Sequence, residues 1–103
     1  MKDTQELIDE CMDWFDFEKV HRTMTLLDWS WISVGVPDKG DIKSKARKYL
    51  KEAVNGLDAN PDYPEYQISS GGIRATAHRA TAETPLVLRL EFVVTEWEAY
   101  EDK

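Results

Sequence analysis

The chain has 103 residues, of which 42% are hydrophobic and 32% are charged, and its formal net charge at pH 7 is −7. This length and composition are typical of one globular domain over residues 1–103 and exclude an intrinsically disordered protein. The excess of acids argues against ordinary binding to duplex nucleic acid, which requires lysines and arginines arranged along one face.

The sequence carries no sign of a targeting or membrane segment. No apolar run is long enough to span a bilayer, and the N-terminal MKDTQELIDE has no apolar centre of the kind that signal peptides need. We therefore expect no membrane partner and a cytoplasmic location. The single cysteine, Cys11, excludes an internal disulfide and a cysteine-based zinc site. Cys11 lies on an apolar helical stripe, which favours a role in the core.

The first part of the chain predicts helices. Thr4 is a suitable N-cap for a first helix, and Asp16 is suitable for a second helix that runs to about Asp28. The two segments could equally form one bent helix. The apolar stripe of the first helix consists of Leu7, Ile8, Cys11, Met12 and Phe15, and that of the second consists of Val20, Met24 and Leu27.

The segment LDWSWISVGVP is ambiguous, because strand, extended linker and frayed helix end all fit its residues. Pro37 ends any helix before it. Asp41 is then placed to cap a third helix over about residues 42–54, with Gly56 at its C-terminal cap. The following DANPDYPEY has the prolines, Asp and Asn of a loop.

After residue 65 the apolar residues recur every second position, which is the period of a β-strand. We predict strands over residues 65–70, 73–80 and 86–97, arranged as an antiparallel meander with AETP as the second turn. A sheet with one apolar face needs helices to cover it. The predicted fold is therefore α+β, with the N-terminal helices packed on one face of a three-stranded antiparallel sheet.

The stretch SSGGIRATAHR places Gly71 and Gly72 before several basic residues, which raises the question of an anion-binding loop. Familiar phosphate loops place their glycines between a strand and a helix N-terminus. Here both flanks have the strand period, and paired glycines between strands are typical of a hairpin turn. We interpret the pair as a turn.

The alternation also predicts a polar sheet face opposite the core. Its residues offer a candidate surface for phosphate, a nucleotide or an acidic partner. The charged residues among them could instead form ordinary cross-strand ion pairs, and we favour this second interpretation. The candidate binding residues on this face are Arg74, Thr76, His78, Arg89 and Glu91, with Gly71 and Gly72 at its edge.

The four tryptophans are a high number for this length. Tryptophan anchors many interfaces because it supplies a large contact area at low entropic cost. We expect at least two of the four to be buried, and we consider Trp29 and Trp31 the best candidates for contact with a partner or with a second copy of the chain.

Catalysis has little support in the sequence. Only two histidines, His21 and His78, are present, and no familiar hydrolase, zinc-protease or redox motif accompanies them. We predict no catalytic residues, no metal and no cofactor.

Several segments, taken in order, resemble a group of short bacteriophage and prophage proteins that are mostly uncharacterised. The segments are FDFEKVHRTM, LDWSW, VP before a basic helix, ISSGG and VVTEW, and the likeness covers about residues 15–97. The resemblance implies a phage origin and action in the cytoplasm of an infected bacterium. It implies no catalytic residues.

Two hypotheses follow for the function. The first is a non-enzymatic phage accessory protein that binds a host protein, such as a component of an anti-phage defence, and inhibits or redirects it. The second is a protein that sequesters a small ligand such as a nucleotide signal, through Arg74, His78 and Arg89. A minor third hypothesis is a DNA mimic whose acidic ends replace phosphates. A homo-oligomer is compatible with each of them.

Overall fold

The structure is a computed structural model that describes residues 3–27, 39–70 and 72–92. Within these ranges, three helices precede three strands. The helices are α1 (Thr4–Trp14), α2 (Phe17–Leu27) and α3 (Lys39–Ala59), and the strands are β1 (Glu65–Ser70), β2 (Ile73–His78) and β3 (Val87–Phe92). The α+β prediction is thus confirmed. The predictions for Trp29, Trp31 and Gly71 concern residues outside the described ranges.

The helix boundaries correct the predicted N-cap of the first helix and decide between two separate helices and one bent helix. The N-cap of α1 is Asp3 rather than Thr4, because the Asp3 carboxylate accepts a hydrogen bond from the Glu6 amide at 2.8 Å. Phe15 is extended, with φ −86° and ψ 134°, so α1 and α2 are two separate helices. Asp16 caps α2 as predicted, since its carboxylate accepts from the Lys19 amide at 2.9 Å.

Helix α3 is longer than predicted at both ends, which changes the roles of two residues. Asp41 lies in its first turn, and Gly56 lies inside the helix rather than at its end. The helix ends later because other side chains satisfy its last carbonyls. The Asn60 amide donates to the Gly56 carbonyl at 2.6 Å, and the Arg79 guanidinium donates to the Leu57 carbonyl at 2.7 Å.

Gly56 allows the ring of Tyr66 on β1 to approach the helix. A Cβ atom at position 56 would overlap the ring of Tyr66. Glycine is therefore needed here for close packing between α3 and β1, and this packing holds the helix against the sheet.

The three strands form the predicted antiparallel meander, in the order β1-β2-β3. Ser70 pairs with Ile73 across the first turn, and Gly72 in that turn has a φ of 82°, which glycine adopts without strain. The turn interpretation is therefore confirmed for Gly72, while Gly71 lies outside the described residues. On the β2–β3 side, Ala75 lies opposite Leu90 and Thr76 lies opposite Arg89.

The core lies between α3 and one face of the sheet. Leu50 and Ala75 are fully buried, and Ile8 of α1 joins them in one cluster. Val20 of α2 is fully buried in a second cluster with Ile42 of α3.

The apolar face of β3 is less covered than the sequence predicts. Leu88, Leu90 and Phe92 pack against the core clusters but are only partly buried, whereas the apolar face of a sheet covered by helices is expected to be buried. The cover is incomplete because of how the helices pack on the sheet. Helix α3 contacts mainly β1 and β2, and β3 is covered mainly by the shorter α1.

Burial predicts that Leu50→Ala lowers the free energy of unfolding by about 2–5 kcal/mol, as for other buried leucines. Leu90→Ala should cost less, because the Leu90 side chain is only partly buried. Urea unfolding of both variants measures the difference. Equal losses would contradict the incomplete cover of β3.

The contact at Gly56 predicts a non-additive pair of substitutions. Gly56→Ala should destabilise the protein by about 1–3 kcal/mol through overlap with Tyr66, despite the better helix propensity of alanine. When Tyr66→Ala has removed the ring, the same Gly56→Ala change should stabilise the protein by up to about 1 kcal/mol. A double-mutant cycle by urea unfolding measures both effects. The same sign in both backgrounds would show that the ring does not explain the glycine.

Candidate functional site

The polar face predicted from the sequence exists, and its charged residues pair across the strands. Arg74 Nε donates to Glu91 Oε1 at 3.1 Å, and these residues are direct partners in the β2–β3 register. This hydrogen bond raises the pKa of Arg74 above its usual value. His78 Nδ1 lies 3.9 Å from Glu65 Oε1, a distance too long for a hydrogen bond.

The remaining residues of this face do not complete an anion site. Thr76 is buried, with 5% of its surface exposed, and Arg89 beside it is exposed. Arg74 and His78 are four residues apart on one strand, so their Cα atoms are about 13 Å apart. With a carboxylate beside both Arg74 and His78, the face is arranged as cross-strand ion pairs rather than as a concentration of positive charge.

A different surface is concave and apolar. It is a groove of about 1200 Å³ between α1, strand β3 and the loop that joins β2 to β3, and we call it the α1–β3 groove. One wall carries Leu7, Cys11 and Trp14 of α1, and the other carries residues 86–90. Its volume exceeds the range typical of pockets for small molecules.

The wall from α1 follows from the spacing of its residues. Positions 7, 11 and 14 lie on one side of a helix, beside the side that carries Ile8. Ile8 is fully buried against α3, so the neighbouring stripe of Leu7, Cys11 and Trp14 faces the groove. Trp14 is 86% exposed, which is unusual for so large an apolar side chain.

The loop at the end of the groove is held by its own hydrogen bonds. The Thr81 amide donates to the Thr84 carbonyl at 2.7 Å, and the two threonine hydroxyls lie 2.6 Å apart. The Thr84 amide also donates to the Thr81 hydroxyl at 3.0 Å. The loop therefore forms a defined boundary of the groove.

The groove is lined by one free thiol among the described residues, that of Cys11. Burial raises the pKa of this thiol, and the charge of Glu10 adds to the effect. A raised pKa keeps the sulfur protonated and weakens it as a nucleophile. The groove is thus better suited to apolar contact than to thiol chemistry.

An ion pair joins α1 to α3 outside the groove. Arg47 Nη1 of α3 donates to Asp9 Oδ1 of α1 at 2.6 Å, and this hydrogen bond lowers the pKa of Asp9 below its usual value. Both side chains are about half exposed. The pair lies outside the core cluster of Ile8 and fixes the helix by charge as well as by packing.

The groove residue Trp14 was not singled out in the sequence. The apolar stripe predicted for α1 consists of Leu7, Ile8, Cys11, Met12 and Phe15. The tryptophans predicted to contact a partner are Trp29 and Trp31. The signal that could have identified Trp14 is the width of the apolar side of α1, which is larger than one packing contact requires.

The described residues contain no group of three or more His, Cys, Asp or Glu side chains placed to hold a metal ion. Among the same residues, no helix is both long and apolar enough to cross a membrane. Comparison of the chain with protein-family models, curated proteins and solved structures gives no match.

The Asp9–Arg47 pair predicts a titration that can be measured directly. In the folded protein the pKa of Asp9 should lie below that of an ordinary aspartate, and Arg47→Gln should return it towards the ordinary value. Because the folded pKa is lowered, the pair contributes stability above about pH 4 and loses it as the pH falls through the pKa of folded Asp9. An NMR titration of the Asp9 carboxyl carbon tests this. An unchanged pKa in the Arg47 variant would show that the ion pair does not form in solution.

Proposed function

We propose that this protein is a non-enzymatic binding protein that holds a segment of a protein partner in the α1–β3 groove. The observation that carries the proposal is the 86% exposure of Trp14 beside a concave apolar groove. On the resemblance to phage proteins, the partner is a protein of the bacterial host, which the complex inhibits or redirects in the host cytoplasm.

The physical basis is the cost of leaving this surface in water. Trp14, Leu7 and Leu88 present apolar area in one place rather than as scattered single residues. Contiguous apolar surface of this kind marks interaction sites, and tryptophan is among the residues that most often dominate binding. A partner side chain that covers Trp14 would remove that area from water.

The geometry supports a binding role more than the alternatives. The thiol in the groove is held protonated, which argues against nucleophilic catalysis there. On the polar face, an anion would compete with Glu91 for Arg74. Sequestration of a nucleotide through Arg74, His78 and Arg89 therefore has weaker support than a protein partner.

The proposal predicts that Trp14→Ala weakens the complex by about 30-fold or more, which corresponds to the loss of about 2 kcal/mol at an interface anchor. Affinity capture from phage-infected bacteria, with wild type and variant compared by mass spectrometry, first identifies a protein that depends on Trp14. Calorimetry with that purified protein then measures the change in Kd.

Tyr63→Ala is the matched control, because Tyr63 is also an exposed aromatic residue, at 50%, and does not line the groove. The control should retain the partner. Equal capture by wild type and Trp14→Ala would overturn the groove as the binding surface. Recovery of a nucleotide whose binding depends on Arg89 would instead support sequestration of a small ligand.

A further inference from the structure

The α1–β3 groove follows the edge of a strand rather than the face of a sheet. Successive side chains of a strand point to opposite faces, yet the groove is lined by every residue from Leu86 to Leu90. A groove that runs along the edge of the strand meets residues of both sets. Strand β3 is at that position, because in the described sheet it pairs only with β2.

An edge strand offers backbone groups that a further strand can use. Its outward N–H and C=O groups can pair with an extended segment, which then obtains affinity from the main chain and specificity from alternate side chains. Beside β3, the stripe of Leu7, Cys11 and Trp14 would contact one side of such a segment.

We infer that the segment bound in this groove is an extended one that adds to β3 as a fourth strand, with alternate apolar residues directed at α1 and with lysine or arginine flanking them. The inference rests on the proposed function and specifies its partner.

The charge of the groove selects the flanking residues. Its described lining contains three carboxylates, from Asp3, Glu10 and Glu83, and the single guanidinium of Arg89. The whole chain, with these residues included, has a net charge of −7. A basic segment is attracted to such a surface, whereas an acidic segment or a second copy of this chain is repelled.

The first test is a selection from displayed random twelve-residue peptides on the wild-type protein, with counter-selection on Trp14→Ala. We expect the enriched peptides to show apolar residues at every second position and an excess of lysine and arginine. Apolar residues at helical spacing, an excess of acids, enrichment that persists on the variant, or no enrichment would each overturn the inference.

The second test addresses the backbone pairing. In an enriched peptide, methylation of the backbone nitrogen at alternate positions removes the donors along one edge and leaves the side chains unchanged. One of the two alternate sets should reduce affinity by about tenfold or more, because at least two hydrogen bonds are lost, while the other set should have little effect. Equal effects of the two sets would exclude strand addition.

The outcomes separate this inference from the proposed function. A captured partner that depends on Trp14, together with peptides of helical spacing, retains the groove as a binding site and excludes the added strand. A dimer of the wild type that Trp14→Ala converts to a monomer, measured by analytical ultracentrifugation, would assign the groove to a second copy and overturn the inference.

Discussion

The packing of α3 on the two strands β1 and β2 is the constraint on which the rest of the structure depends. An α-helix with its side chains is about 10–12 Å wide, and neighbouring strands are about 4.8 Å apart, so one helix covers about two strands. The small residues Ala75 and Ala77 on β2 and Ala53 on α3 are completely buried, which allows the helix to lie close to the sheet. The third strand therefore needs another element to cover it.

Helix α1 provides that cover incompletely, and the groove results from the mismatch. Its 11 residues contact β3 and α3 together, so its apolar residues are divided between two neighbours. Ile8 enters the core with Leu50, while Leu7 and Trp14 remain at the groove. In a helical bundle these apolar residues could be fully buried, but here some of them line a surface groove. The Asp9–Arg47 pair adds a modest electrostatic contact between α1 and α3.

The sheet could be predicted from the sequence because its signals are local. Alternation from Tyr66 onwards, the glycine pair before Ile73 and the turn containing Pro85 each depend on neighbouring residues, and strand order in a meander follows chain order. The site could not be predicted in the same way. Whether Trp14 is buried depends on which strand α1 covers, which is a tertiary property. The polar face could be predicted because alternation along a strand shows which residues share one face of the sheet. The pairing of Arg74 with Glu91 could not, because it depends on the register between β2 and β3, which only the folded sheet fixes.

The acids around the groove would oppose self-association through an apolar strand edge. Natural proteins protect such edges with charged residues, proline or short strands, and here Pro85 precedes a strand of six residues. Two copies that approached groove to groove would bring the carboxylates of Asp3 and Glu83 together, and both chains carry the same net charge of −7. The same carboxylates attract a basic segment at long range, and this attraction weakens as salt shortens the Debye length. One set of charges thus opposes pairing with an identical chain and favours a partner of opposite charge.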